Sequence, residues 1–218
     1  MKTCFIFAAL DCGKVQIEKN EGDIVVACDL GYKNAVENGI KPDIVVGDFD
    51  SLETVPENGN GDFELIGLSV FKADTDLSFA VKTGEERGCG RFVIFGALGG
   101  KRWDHTMANL CVLGAEAKKG RECFLVDGNS AITAVSNGKI EFSEKLEGTM
   151  GLVSFSDVSK GVTEKGFLYT IEDRDLESTH IMTVSNQFIG RKSSVEVKDG
   201  TLLIYFEGDY RLAGLCRQ

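Results

Sequence analysis

IVVAC, residues 24–28, is an unbroken apolar run that ends on a carboxylate, Asp29. Such a run suits a strand buried on both faces, as in a parallel sheet covered by helices. Working outward, comparable runs stand at CFIFAAL (4–10), DIVVGD (43–48), ELIGLS (64–69), RFVIFGA (91–97) and ECFLVDG (122–128). Segments of helical period separate them. After Asp76, the residues Leu77, Ala80, Val81 and Gly84 fall on one stripe; after Asp104, so do Met107, Ala108, Cys111, Val112 and Ala115. The alternation predicts an α/β fold for residues 1–133, a Rossmann-like, mostly parallel sheet with flanking helices.

From residue 137 to 218 the character changes to short alternating runs with turn signals: KIEF (139–142), MGLVSF (150–155), HIMTVSN (180–186), SVEVKDG (194–200) and TLLIYF (201–206). KDG before TLLIYF reads as a hairpin turn, and the whole as a small all-β sandwich domain. EDRDLES (172–178) reads as a solvated loop.

The chain has 218 residues, 43% of them hydrophobic and 27% charged, which is the balance of a soluble globular protein. A net charge of -10 argues against wide contact with nucleic acid, whose backbone calls for Lys/Arg patches. Seven cysteines with no CxxC pair read as reduced thiols of a cytoplasmic protein, and only two histidines weigh against a Cys/His zinc site. The opening MKTCFIFAALD fits a first buried strand better than a signal peptide. No stretch approaches the ~18 apolar residues of a membrane span.

Carboxylates cluster at the ends of the apolar runs. Asp48 and Asp50 follow DIVV at i, i+2, so both point one way if the chain stays extended. Asp29 and Asp76 are expected on the same rim, at the carboxyl ends of the strands, where open α/β sheets bind ligands. Taken singly, each is most simply a helix cap or a turn residue: Asp29 before Tyr32, Asp50 with Ser51, Asp76 as an N-cap. Four on one rim point instead to Mg²⁺, a hard cation held by carboxylates together with substrate phosphates.

A second constellation is Gly99-Gly100-Lys101-Arg102-Trp103-Asp104-His105, between a strand and a helix. Glycines admit phosphate oxygens to backbone N–H groups, a helix N-terminus favours anions, and Arg102 offers a fork of donors. Asp104 either caps the helix or orients Arg102. The loop is not a Walker A motif: GALGGK is one residue short of GxxxxGK, and Arg102 stands where Ser or Thr is required. By itself a Gly-Gly-basic loop is often only a tight turn. VSNQFIG (184–190), taken alone, reads as a turn after a strand, and His180 as structural.

In order, CDLGYKNA, PDIVVGDFDS, KADTDLSFAVK, GALGGKRWDHTMANL and TVSNQFIG resemble the thiamine pyrophosphokinases of the bacterial type over nearly the whole chain. The resemblance implies transfer of the β,γ-diphosphoryl unit of ATP to the hydroxyl of thiamine, giving thiamine diphosphate and AMP. It implies an N-terminal α/β domain, a C-terminal β-sandwich, and a homodimer with active sites at the subunit interface. By motif, Asp29, Asp48, Asp50 and Asp76 are the Mg²⁺ and diphosphate carboxylates. Gly99, Gly100, Arg102, Asp104, His105 and Asn109 belong to the ATP element, with Asp48, Asp50, Asp76 and Arg102 the catalytic set. Ser185 and Asn186 contact thiamine. Two positions depart from the family pattern: Leu30 stands where DGG is common, and Ala73 replaces the first Asp of K-D-x-T-D. Two other readings fit these residues: a diphosphotransferase or kinase acting on another small alcohol, and a non-catalytic Mg-nucleotide sensor.

Overall fold

The computed structural model describes residues 1–48, 63–68 and 75–216. By contacts the chain forms two compact units, Met1–Asn109 and Leu110 onward.

In the first unit the strands are β1 (Lys2–Phe7), β2 (Ile24–Cys28), β3 (Ile44–Gly47), β4 (Glu64–Gly67) and β5 (Cys89–Phe95). They lie in the order β5-β1-β2-β3-β4, and every neighbouring pair is parallel. The runs read as strands occupy these places; IVVAC is β2 entire, while β1, β3 and β5 stop one to three residues short of the carboxyl ends of their runs, where the chain leaves the sheet for the loops that matter below. In β1, β2, β3 and β5 the side chains are buried on both faces: Phe5, Ile6 and Phe7, Val25 and Val26, Val45 and Val46, Phe92 to Phe95; β4, at the end of the sheet order, is largely exposed. Helix α1 (Gly31–Glu37) follows β2, and α2 (Asp76–Glu86) precedes β5. The expected stripe of α2 is its buried face: Leu77, Ala80, Val81 and Gly84 all lie inside, against β1, β2, β3 and β5. Its N-cap is Thr75, whose hydroxyl accepts from the N–H of Ser78, so Asp76 is not the cap but the first helical residue.

Helix α3 (Trp103–Lys118) spans the point where contacts divide the chain, earlier than the change of composition near 133. Its buried residues are Asn109, Leu113, Gly114, Glu116 and Ala117. The stripe expected from periodicity, Met107, Ala108, Cys111, Val112 and Ala115, is exposed or half-exposed instead. The inward face is mixed in polarity: Glu116 is buried and pairs with Lys119 and Arg121, which periodicity scores as surface.

The second unit adds β6 (Glu122–Asp127), β7 (Ser130–Phe142), β8 (Thr149–Ser154), β9 (Val158–Lys165), β10 (Ile171–Glu177), β11 (Asn186–Gln187), β12 (Ser193–Glu207) and β13 (Ala213–Leu215). Their pairings with one another are antiparallel. The hairpin expected at KDG does not form. β12 runs straight through it as one 15-residue strand, with a register shift between Val197 and Thr201. A bulge absorbs the extra residues and bends the strand. There β12 changes partner, from β9 over Ser194–Asp199 to β8 over Leu202–Phe206. EDRDLES is strand rather than loop: β10 pairs with β9 at the end of the sheet order, and charged side chains suit an edge. In HIMTVSN only Asn186 is in a strand. The core of this unit centres on Phe142, whose ring meets those of Phe167, Phe188 and Phe206 at 6.0, 5.6 and 5.4 Å between centroids.

Among the described residues no helix is long and apolar enough to cross a membrane. All seven cysteines are free thiols.

Candidate active site

In the first unit a cleft of about 460 Å³ opens at the carboxyl ends of β1, β2 and β5. Ala8, Ala9 and Leu10 after β1, Asp29 after β2, Thr75 and Asp76 at the start of α2, and Gly96, Ala97 and Gly99 after β5 line it. Arg102, His105, Thr106 and Asn109 complete the wall. The cleft thus gathers two of the four rim aspartates with Gly99, Arg102 and His105 of the second constellation, and with Asn109.

Asp29 is buried, and its φ of 44° lies in the left-handed region, which Asp tolerates better than most residues. Its N–H donates to the carbonyl of Val46, and its side chain lies directly over Gly47, where any Cβ would overlap Oδ1. Gly47 therefore has a steric duty to the carboxylate. Leu30 has ordinary right-handed angles (φ -57°, ψ -18°), so the position needs no glycine and the departure from DGG leaves the turn intact. Asp48 follows β3 at the same end of the sheet, half-buried, but is not among the cleft's lining residues. Asp50 and Ala73 lie outside the described residues. Among the described residues no group of three or more His, Cys, Asp or Glu side chains is gathered to hold a metal ion. Two carboxylates on one cleft nonetheless suit Mg²⁺, which takes one or two from protein and the rest from phosphates and water.

The Gly99-Gly100 turn has both φ values positive, 80° and 76°, the conformation glycine adopts without strain. Gly100 and Asp104 flank the cleft without lining it. Asp104 grips Arg102 side-on: Nε donates to Oδ1 at 2.9 Å and Nη2 to Oδ2 at 2.6 Å. That fork holds the Asp104 carboxyl down to about 2. Asn109 is buried and donates to the carbonyl of Ala97 at 2.7 Å, while Thr106 donates to Gly99 at 3.1 Å. α3 thereby fixes the glycine loop to its own first turns. Asn34 of α1 fixes the other wall, its Nδ2 donating to the carbonyls of Ala8 at 2.8 Å and Leu10 at 2.7 Å. Sequence reasoning missed Thr106, Asn34 and the Ala8–Leu10 wall. The signal available was the small pair Ala8-Ala9 closing an apolar run at the rim.

The second unit holds a separate, mainly apolar pocket of about 380 Å³ that includes Ser185, with Val184, Leu152, Leu203, Ile132 and Tyr205 among its walls. Ser185 has φ 62°, and nearby Thr183 is tied to Leu152 by two hydrogen bonds: its Oγ1 donates to the Leu152 carbonyl at 2.7 Å, and the Leu152 N–H donates to the Thr183 carbonyl at 2.9 Å. Asn186 is buried and faces inward: Nδ2 donates to Glu164 Oε2 at 2.6 Å and to the carbonyl of Tyr169 at 2.8 Å. Its Oδ1 accepts from the N–H groups of Tyr169 and Gln187. Burial pushes the Glu164 carboxyl up to about 7, against the lowering pull of Asn186. The sign follows from linkage: an acid titrating higher in the folded than in the unfolded chain costs stability as pH rises between the two values. Glu164→Gln should therefore gain stability over the wild type from pH 4.5 up to about 7, by on the order of 3 kcal/mol at full effect. Urea midpoints at pH 4.5 and 8 measure it; equal midpoint differences at both pH values would refute it.

The chain matches two family models, "Thiamin pyrophosphokinase, catalytic domain" over residues 15–125 and "Thiamin pyrophosphokinase, vitamin B1 binding domain" over 138–202. Among solved structures it is similar to thiamine pyrophosphokinase from Bacillus subtilis, with a TM-score of 0.83 at 21% identity over 96% of this chain and 100% of that one. Thiamin pyrophosphokinase from Geobacillus thermodenitrificans gives 0.80 at 21% over 97% and 100%. That from Candida albicans gives 0.72 at 17% over 95% and 89%. At such identities these likenesses establish the fold. A comparison with curated proteins found no significant match.

Proposed function

The chain belongs to the thiamin pyrophosphokinase family and is a thiamine diphosphokinase; from that premise we propose how its residues divide the work. The cleft of the first unit takes Mg-ATP, and the pocket beside Ser185 takes thiamine. The observation that carries this is the convergence of Asp29, Asp76, Gly99, Arg102, His105 and Asn109 on one cleft at the strand ends. We read the first unit as Rossmann-like and the second as a small β-sandwich.

Asp29 and Asp76, with Asp48 and Asp50, would hold Mg²⁺, which supplies neutralisation of the phosphate charge when bound. Arg102 swings from Asp104 to the β,γ-phosphates, and the Gly99–Gly100 turn offers backbone N–H groups at the head of α3. The thiamine hydroxyl oxygen attacks the β-phosphorus in line, the bond from that phosphorus to the α,β-bridging oxygen breaks, and AMP leaves. The hydroxyl proton passes to a rim carboxylate, Asp48, Asp50 or Asp76. Carboxylates also favour the cationic thiazolium of the acceptor.

Incubation with Mg-ATP and thiamine is expected to yield AMP and thiamine diphosphate, read by chromatography. ADP as the nucleotide product would select a monophosphoryl kinase, and ATP binding without turnover a sensor.

A homodimer in the cytoplasm completes the proposal, with the reduced cysteines in keeping. α3 leaves Trp103, Met107 and Cys111 exposed at i, i+4, i+8, an apolar row that a second copy would cover. Sedimentation equilibrium tests this: a monomer at the concentration of the assay would remove it.

A further inference from the structure

Glu164 brings an acidic side chain into the interior of the second unit and leaves half of it unused. It stands on β9 two residues after Val162, so strand alternation turns both inward, and both are buried. Its Oε2 accepts the 2.6 Å bond from Asn186, while Oε1 is buried with no hydrogen-bond partner. A buried, half-satisfied carboxyl is a cost to the fold. Nothing in the phosphoryl cleft uses it.

What the bond secures is Asn186. Both amide hydrogens and the carbonyl oxygen of that side chain are committed, to Glu164, to the carbonyl and N–H of Tyr169, and to the N–H of Gln187. The side chain is a rivet joining β9, the segment at Tyr169 and β11 with the preceding Ser185. Its neighbour Ser185 holds φ 62°, a conformation that persists in a non-glycine residue only where the surroundings over-determine it. Ser185 and Val184 then form part of the pocket wall.

We propose that Glu164 is a positioning residue for the acceptor: through Asn186 it fixes Ser185 in its left-handed conformation at the wall where thiamine binds. This rests on the reading of that pocket as the thiamine site. Glu164 itself touches no substrate. A glutamine in its place presents the same acceptor oxygen to Asn186, so hydrogen bonding and not charge is the operative property.

The experiment compares Glu164→Ala and Glu164→Gln by steady-state kinetics with Mg-ATP and thiamine, and by calorimetric binding of thiamine alone. For Glu164→Ala the thiamine KM and Kd are expected to rise about tenfold, with the ATP KM within about twofold of wild type; Glu164→Gln should stay within about threefold throughout. A wild-type thiamine KM in Glu164→Ala, a matching rise in the ATP KM, or a glutamine variant as impaired as the alanine one overturns the proposal. Should Glu164→Ala fail to fold, Glu164→Asp, which draws the carboxyl back from Asn186 by one methylene, carries the same expectation and the same refutation. A wild-type protein that forms no AMP from ATP and thiamine would remove the reading of the pocket itself, before any variant is compared.

Discussion

Asp29→Asn is expected to turn over about 10³-fold more slowly than the wild type, a rise of about 4 kcal/mol in the barrier. The substitution keeps shape and removes charge at a buried position on the cleft, whose lining also includes Asp76. If Asp29 holds Mg²⁺, the loss appears first as weaker metal affinity, so the Mg²⁺ activation curve should move to higher concentration and excess Mg²⁺ should restore part of the rate. Gly47→Ala supplies an independent check on the same carboxylate. Gly47 is in β3 and outside the left-handed region, so alanine costs it no backbone strain; the added methyl overlaps Asp29 Oδ1 instead. The methyl must push the carboxylate off its place, and Gly47→Ala should reproduce both the slow rate and the shifted Mg²⁺ curve. Initial rates of AMP formation against Mg²⁺ read both variants. A Gly47→Ala enzyme at full speed, or an Asp29→Asn enzyme with an unmoved Mg²⁺ curve, would show that the carboxylate has no part in metal binding.

The parallel sheet was legible because IVVAC (24–28), IVV (44–46) and FVIF (92–95) carry no polar residue, and double-sided burial leaves that mark on a sequence. The α2 stripe was legible for a related reason: one face of the helix meets only the sheet. α3 was not, because its inward face includes Glu116, compensated by Lys119 and Arg121, while Met107 and Cys111 look outward. Periodicity counts apolar residues and cannot see which side a buried ion pair takes. The second unit was read worst at Lys198-Asp199-Gly200, where turn residues serve a bulge inside β12 rather than a hairpin. Turn chemistry sets local backbone angles; whether the chain reverses depends on partners, here β7 on one side and β9 then β8 on the other.

The candidate site was legible where spacing and chain position suffice. Asp29, Asp76, Gly99, Arg102, His105 and Asn109 share a cleft because strand ends of one parallel sheet necessarily share an edge. What stayed hidden is whatever depends on a side chain crossing between elements. Asn34 reaching back to Ala8 and Leu10, Gly47 making room for Asp29, and Glu164 reaching Asn186 are long-range contacts of ordinary residues. Glu164 left one faint trace, its place two residues after the buried Val162 in an alternating strand.

Arg102→Ala is expected to lower kcat by about 10³ or more, the scale at which a single arginine stabilises phosphoryl-transfer charge. Stability should hardly move. Arg102 and Asp104 are both well exposed, at 68% and 64% of their side-chain surface, and exposed ion pairs contribute little to stability. The pairing nevertheless has a consequence for the resting enzyme. With the Asp104 carboxyl held at about 2, Asp104 is ionised at any working pH and keeps the guanidinium in its fork beside the cleft, and on the proposed function phosphates would have to compete for it. Asp104→Asn should therefore release Arg102 and change the ATP KM far more than kcat, whereas Arg102→Ala strikes kcat. Arg102→Lys keeps the charge without the planar two-point grip and should recover only part of the rate. The kcat, the ATP KM and the thermal midpoint of the three variants decide the matter. An Arg102→Ala enzyme with wild-type kcat, or one whose lost activity is matched by lost thermal stability, would return Arg102 to the role of a surface ion pair.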